Sequence, residues 1–215
     1  MIIDNSYFLN KAVYIPHAVA QPSIGGNTPN SVLQLQGEIE EKESEFLVSF
    51  LGWEQYAELI DQFEDAAPYA WKPDALQKWK DLVDGKEDWR GLRYNVGNKK
   101  ISIIAYYVFF HYLASDFSSY STTGVQVAEA ENSTRQLPNG KQVSAWNQMV
   151  KMYGLEGSYS RSNYQFSQNW NGTMLQWLGN VIGNETTLYD FMHSRPEDFD
   201  TSFFTPRSLV NIYNL

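Results

Sequence analysis

KKISIIAYYVFFHYLASDF, residues 99–117, is the stretch whose reading decides the fold. Ile101, Ile103, Ile104, Tyr106, Tyr107, Val108, Phe109, Phe110, Tyr112, Leu113 and Phe117 leave no polar stripe, and a helix apolar around its circumference must be buried on every side. Lys99, Lys100, Ser102, His111 and Asp116 argue against a membrane span. The expectation is a central post running from Lys99 to Phe117 in a mainly α, small helical bundle.

Upstream of the post, Val32, Leu33, Leu35, Ile39, Phe46, Leu47, Phe50 and Leu51 keep helical spacing, and Gly52 is a natural stop. WEQYAELIDQF, residues 53–63, predicts a second short helix folded back on the first as a hairpin. Pro73 and Asp74 open a third, with Leu76, Trp79, Leu82 and Val83 on one face and Gly85 past its end. Downstream, a helix is expected over Val143 to Tyr153, with Trp146, Met149, Val150 and Tyr153 inward and Gly154 closing it. Shorter helices are expected at Met174 to Ile182 and Leu188 to His193. The connection 118–141 is longer than an ordinary loop, and Val125 and Val127 predict a short extended piece in it. Asn139-Gly140 is a turn signal that would close a β-hairpin there.

The ends read differently. Residues 1–30 hold Pro16, Pro22, Pro29, Gly25 and Gly26 among scattered apolar residues, the punctuation of an extended arm that lies on something. After Gly157 the composition turns to Ser, Asn, Gln and aromatics, and the last twenty residues are hydrophobic but irregular. The chain therefore divides into an N-terminal arm (1–30), a helical core with its long loop (31–155) and a C-terminal extension (156–215). Phe203, Phe204, Leu209, Val210, Ile212 and Tyr213 of that extension, with Val125 and Val127 of the loop, are the expected contact residues for a partner.

At 215 residues, 43% hydrophobic and 15% aromatic, the chain can bury a full core. A formal charge of −9 and a pI near 4.8 argue against gripping nucleic acid through phosphates, which needs clustered Lys and Arg. Cys is absent, which removes disulfides, thiolate metal sites and a cysteine nucleophile. The N-terminus carries Asp4 where an export signal wants positive charge, so neither signal nor membrane anchor is expected and synthesis is assigned to the cytoplasm.

No catalytic constellation stands out. His17, His111 and His193 lack the i, i+3 or i+4 partner of a helical metal site, and there is no G-x-S-x-G elbow and no phosphate-binding glycine loop. No metal, cofactor or enzymatic activity is expected. The acidic run Glu38, Glu40, Glu41, Glu43 and Glu45 contains enough carboxylates for glycoside hydrolysis, but a charge run on a helix is usually a solvated face. With Glu54, Glu58, Asp61, Glu64 and Asp65 it makes a surface of one sign, which in a pore would repel a passing polyanion. Aromatics such as Trp89, Tyr94, Tyr159, Tyr164, Trp170 and Trp177 leave open a carbohydrate-binding module or glycosidase fragment as the alternative.

Between Ser31 and Tyr153 the order of pieces resembles the head-to-tail connector (adaptor, or neck-ring) proteins of tailed bacteriophages, particularly those of the crAss-like group and of phages of Bacteroides-like hosts. The likeness is carried by the acidic helix ending Phe50-Leu51-Gly52-Trp53, by Trp79 to Gly85 and by Trp89-Arg90-Gly91-Leu92. It continues through Tyr106 to Phe110, Ser121-Thr122-Thr123-Gly124-Val125 and Ala145 to Met149. Pro68, Pro73 and the polar segment 156–172 depart from the simpler members. The resemblance implies a non-catalytic virion protein at the head-tail interface, without a membrane. It implies a homo-oligomeric, dodecameric ring that docks on the portal, joins tail or further neck proteins and extends a channel through which genomic DNA passes without sequence-specific binding. Another neck or tail-completion protein is the nearest alternative.

Overall fold

One hydroxyl decides where the central post begins. Ser102 Oγ donates to the Leu92 carbonyl at 2.7 Å and accepts from the Ile104 N–H at 3.1 Å, so it caps a helix that starts at Ile103. The four residues before the helix are a strand. In the computed structural model, which describes residues 1–19, 30–64, 70–117, 119–121, 124–126, 139–154, 186–205 and 207, Arg93–Val96 (β1) and Lys99–Ser102 (β2) pair antiparallel. The register runs from Arg93↔Ser102 to Val96↔Lys99, around a two-residue Gly97-Asn98 turn with Gly97 at φ 59°. The expected helical start at Lys99 is thus corrected: a tight turn and a serine cap outweigh the helical pattern there.

The post itself, Ile103–Phe117 (α3), is buried through Ile103, Ile104, Ala105, Tyr107, Val108 and Phe109, and half-buried over Phe110, His111, Tyr112 and Leu113. It packs chiefly against Asn139–Tyr153 (α4) and against Asn30–Asp61 (α1). The long helical run of α1 is interrupted at Gly52, whose φ of 72° and ψ of 172° lie outside the helical region. A side chain at Gly52 would be strained by that positive φ, and its Cβ would stand 2.9 Å from the Phe203 ring. Leu35, Ile39, Glu43, Phe46, Leu47, Phe50 and Leu51 form the buried stripe before the break.

Gln77–Asp84 (α2) starts later than Pro73 and Asp74, and buries Trp79, Leu82 and Val83. Behind it the chain doubles back so closely that a Cβ on Gly91 would lie 2.5 Å from the Val83 carbonyl oxygen. Leu188–His193 (α5) is capped by Thr187, whose Oγ1 accepts from the Asp190 N–H. The described residues are mainly α, as the periodicity implies, and none of their helices is long and apolar enough to cross a membrane.

The long connection contains a short hairpin, Ser119–Ser121 (β3) paired with Gly124–Gln126 (β4), with Tyr120 opposite Val125. Asn139-Gly140 does not close it: those residues open α4, because a helix that continues to Tyr153 takes up their backbone. The helix expected at Met174 to Ile182 lies outside the described residues.

The N-terminal residues and residues 186–204 both enter the core. Residues 5–9 and 11–13 are 3₁₀ turns rather than an extended arm, with Ile2, Ile3 and Phe8 fully buried, while the glycine-rich residues 20–29 lie outside the described ones. At the other end, α5 and Phe199 join the same core, with Trp89 stacked on Phe191 at 5.7 Å and Phe199 against Trp79 at 5.6 Å. Across residues 186–204 the C-terminal extension is therefore wedged into the bundle. Its aromatic rings fill space that α1, α2 and α4 leave between them.

Candidate functional site

The polar groups that organise the molecule converge on α1. Glu43 stands in phase with Ile39, Phe46, Leu47 and Phe50, so the helix turns its carboxylate inward with them. It accepts hydrogen bonds from the Ile2 N–H at 2.7 Å and the Ile3 N–H at 3.1 Å, and the terminal amine lies 3.9 Å away. Burial pushes the Glu43 pKa up to about 7, against the lowering pull of the amine and the two N–H donors. Asn5 completes the N-terminal attachment, its Nδ2 donating to the carbonyls of Ala18 and Val32.

One turn further along α1, a cation does the same for the other end. The Arg207 guanidinium carbon lies 4.8 Å from the Tyr153 ring centre, 5.3 Å from Tyr107, and 5.7 Å from both Phe46 and Trp146. Four rings on α1, α3 and α4 thus form a box around one charge, and ring quadrupoles attract a cation placed over their faces. Arg207 also donates from Nη2 to Ser49 Oγ and from its backbone N–H to the Gly154 carbonyl, both at 3.0 Å. Beside the box the Tyr107 hydroxyl donates to Glu45 at 2.7 Å. Burial works to raise the Glu45 pKa, but hydrogen bonds from Lys42 and Tyr107 hold it below its ordinary value. His111 sits at the edge, 4.5 Å from the Tyr107 ring, and burial lowers its pKa.

A second buried carboxylate closes the molecule elsewhere. Asp81 on α2 accepts from Gln77 at 2.7 Å, Lys86 at 2.8 Å and Arg195 at 3.1 Å, and so joins α2 to the segment after α5. Burial raises its pKa less than these three donors lower it.

The surface beyond Gly52 is of another kind. Trp53 is 72% exposed and meets Tyr56 edge-on at 5.9 Å, while Phe203, 58% exposed, lies over Gly52. The backbone of residue 200 is pinned to α1 by Gln55, whose Nε2 donates to the Asp200 carbonyl at 2.8 Å and whose Oε1 accepts from the Asp200 N–H at 3.1 Å. Two exposed aromatic rings are thereby held on fixed backbone.

The sequence-derived contact residues do not stay together. Phe203 is on this surface, whereas Phe204 is 6% exposed and packed among Phe50, Tyr153, Tyr189 and His193, so it is core and not available to a partner. Val125 is in β4; Val127, Leu209, Val210, Ile212 and Tyr213 lie outside the described residues. Of the acidic run, Glu40, Glu41 and Glu45 face solvent but Glu43 does not, and its i+4 step from Ile39 was the signal for that. Arg207 carries no comparable signal, since its box is built from three distant helices. Among the described residues no group of three or more His, Asp or Glu side chains is placed to hold a metal ion. Two surface grooves, of about 370 and 520 Å³, lie beside Ile3 and Val32 and beside Trp89 and Tyr94; at the second, Asp84 and Lys86 are already engaged with Arg93 and Asp81. No family model, no curated protein and no solved structure matches the chain.

Proposed function

We propose that the chain is a structural subunit of a phage neck: a ring-forming head-to-tail connector that docks on the portal, joins it to tail components and extends the DNA channel. The observation that carries this proposal is the division of labour among polar and aromatic groups. The buried carboxylates Glu43 and Asp81 are consumed in tying segments together, as is the boxed Arg207. Trp53 and Phe203, by contrast, are held on pinned backbone with most of each ring exposed. That is the economy of an assembly part. Exposed apolar side chains buried in a partner contribute roughly 1.5–3 kcal/mol each before ordering costs, and a ring multiplies such contacts through high effective concentration. The outward Glu40, Glu41 and Glu45, only partly offset by Lys42, leave a net acidic surface that suits a channel wall a polyanion must pass without sticking.

Electron microscopy of the purified chain, alone and mixed with portal, tests the proposal. Rings stacked on portal are the expected result; a chain that stays monomeric and ignores portal overturns it. Removal of residues 208–215 is expected to keep the fold, because Arg207 and its box remain, while weakening portal docking.

A further inference from the structure

Beyond the neck role, the structure shows two surfaces that match each other in chemistry. The first is the Trp53 and Phe203 surface. Residues 53–64 carry four acids, Glu54, Glu58, Asp61 and Glu64, and no Lys or Arg, and the pinned segment beside them adds Glu197, Asp198 and Asp200. Lys78 and Lys72 reach Glu58 and Asp61, while Glu54 and Asp200 remain exposed next to the rings. The second is the tip of the β1–β2 hairpin. Residues 93–102 hold three cations and no acid; Arg93 is paired with Asp84 and Lys100 with Asp4 and Ser6, while Lys99 is exposed. Val96, 50% exposed, stands at the tip directly opposite the exposed Lys99.

We propose that the hairpin tip of one copy of this chain, through Val96 and Lys99, docks on the Trp53–Phe203 surface of the next copy, in a head-to-tail contact that repeats from subunit to subunit. Charge complementarity selects this occupant. A polyanion is repelled by the Glu54 and Asp200 surroundings, and two copies of the acidic surface face to face repel each other. The hairpin instead offers the apolar Val96 beside the exposed Lys99 ammonium, on the same polypeptide and at the same concentration. A contact between two different patches is heterologous, and it propagates into a closed ring or an open filament according to the rotation between copies. The inference gives the ring of the proposed function its subunit joint.

The test uses the intact chain and two surface variants, Trp53→Asp and Val96→Asp, read by sedimentation velocity and by thermal unfolding. Both positions are exposed, so each variant is expected to melt within a few degrees of wild type. Each variant alone is expected to be monomeric where wild type assembles. An equimolar mixture is expected to form dimers and nothing larger, because each variant retains the patch the other lacks. Lys99→Glu is expected to weaken assembly and Glu54→Lys to restore it in a mixed pair, with wild-type assembly falling at high salt. Assembly unchanged in either Asp variant, a mixture that stays monomeric, or a wild-type chain that is monomeric at its highest soluble concentration overturns the joint. Wild-type rings that ignore the substitutions defeat this joint and leave the neck role standing. Assembly through these patches by a chain that ignores portal does the reverse.

Discussion

The N-terminal residues and Arg207 are fastened to neighbouring turns of the same helix by groups of opposite kind, a carboxyl and a guanidinium. At the N-terminal end a buried carboxyl group, that of Glu43, collects backbone N–H groups that a strand or helix would otherwise satisfy. Toward the C-terminal side a cation, Arg207, is held by rings, with hydrogen bonds to Ser49 and to the Gly154 carbonyl. The difference lies in what each fastening demands of its environment. A carboxylate in an apolar interior is costly unless fully hydrogen-bonded, and it titrates; a guanidinium over aromatic faces keeps its charge at any ordinary pH and needs few partners. The N-terminal fastening is therefore stronger, more specific and responsive to pH, while the C-terminal one is weaker and indifferent to it.

The largest expected effect breaks the carboxyl side. Glu43→Ala leaves the Ile2 and Ile3 N–H groups buried without an acceptor and opens a cavity, and is expected to cost about 3–5 kcal/mol in urea unfolding. Amide exchange at Ile2 and Ile3 should accelerate well before the rest of the core. If these two amides stay protected, the fastening is not Glu43.

Next in size is the pH response. Below its ordinary value of 4.5 the Glu43 carboxyl is protonated in both folded and unfolded chains, so its raised pKa contributes fully there. Between 4.5 and about 7 the folded chain keeps a proton that the unfolded chain has released, and stability is lost as pH rises through that window. The loss is about 3 kcal/mol by linkage. Stability measured from pH 4 to 8 is expected to show this decline in wild type and to lack it in Glu43→Gln. An equal slope in both proteins removes Glu43 from the account.

Substituting Gly52 sharpens the comparison on the helix that both fastenings share. Gly52→Ala meets a positive φ and the Phe203 ring, and is expected to cost about 1–3 kcal/mol. Arg207→Met, which keeps the apolar stem and removes the charge, is expected to cost about 1–2 kcal/mol with no change in pH slope. A loss as large as that of Glu43→Ala would mean that the two fastenings are equivalent. The smallest effect belongs to His111, whose pKa burial depresses: its contribution is present above its ordinary value of 6.5 and declines as pH falls through the folded pKa, opposite in sign to Glu43. His111→Phe is expected to flatten that acid-side decline.

Much of the helical framework is legible in the order of residues, because burial stripes and stops are local properties. Trp79, Leu82 and Val83 before Gly85, or Met149, Val150 and Tyr153 before Gly154, announce their helix faces by spacing alone. Where two local signals compete, the outcome is not legible by one of them. The apolar run beginning at Ile101 hides the Gly97-Asn98 turn and the Ser102 cap that make Lys99–Ser102 a strand. Asn139-Gly140 reads as a turn in isolation and becomes a helix start because the residues after it continue to Tyr153.

The sequence by itself determined that the protein is mainly α, acidic, and folded around the aromatic segment that becomes α3, since each follows from composition and short-range periodicity. Only the tertiary structure decided which polar groups are inside and which aromatic ones are outside. Glu43 and Arg207 are buried or boxed by residues tens to more than a hundred positions away, and Phe203 and Phe204 part company because α1 breaks at Gly52. Those outcomes depend on how separate helices approach one another, and no spacing within a single segment records that distance.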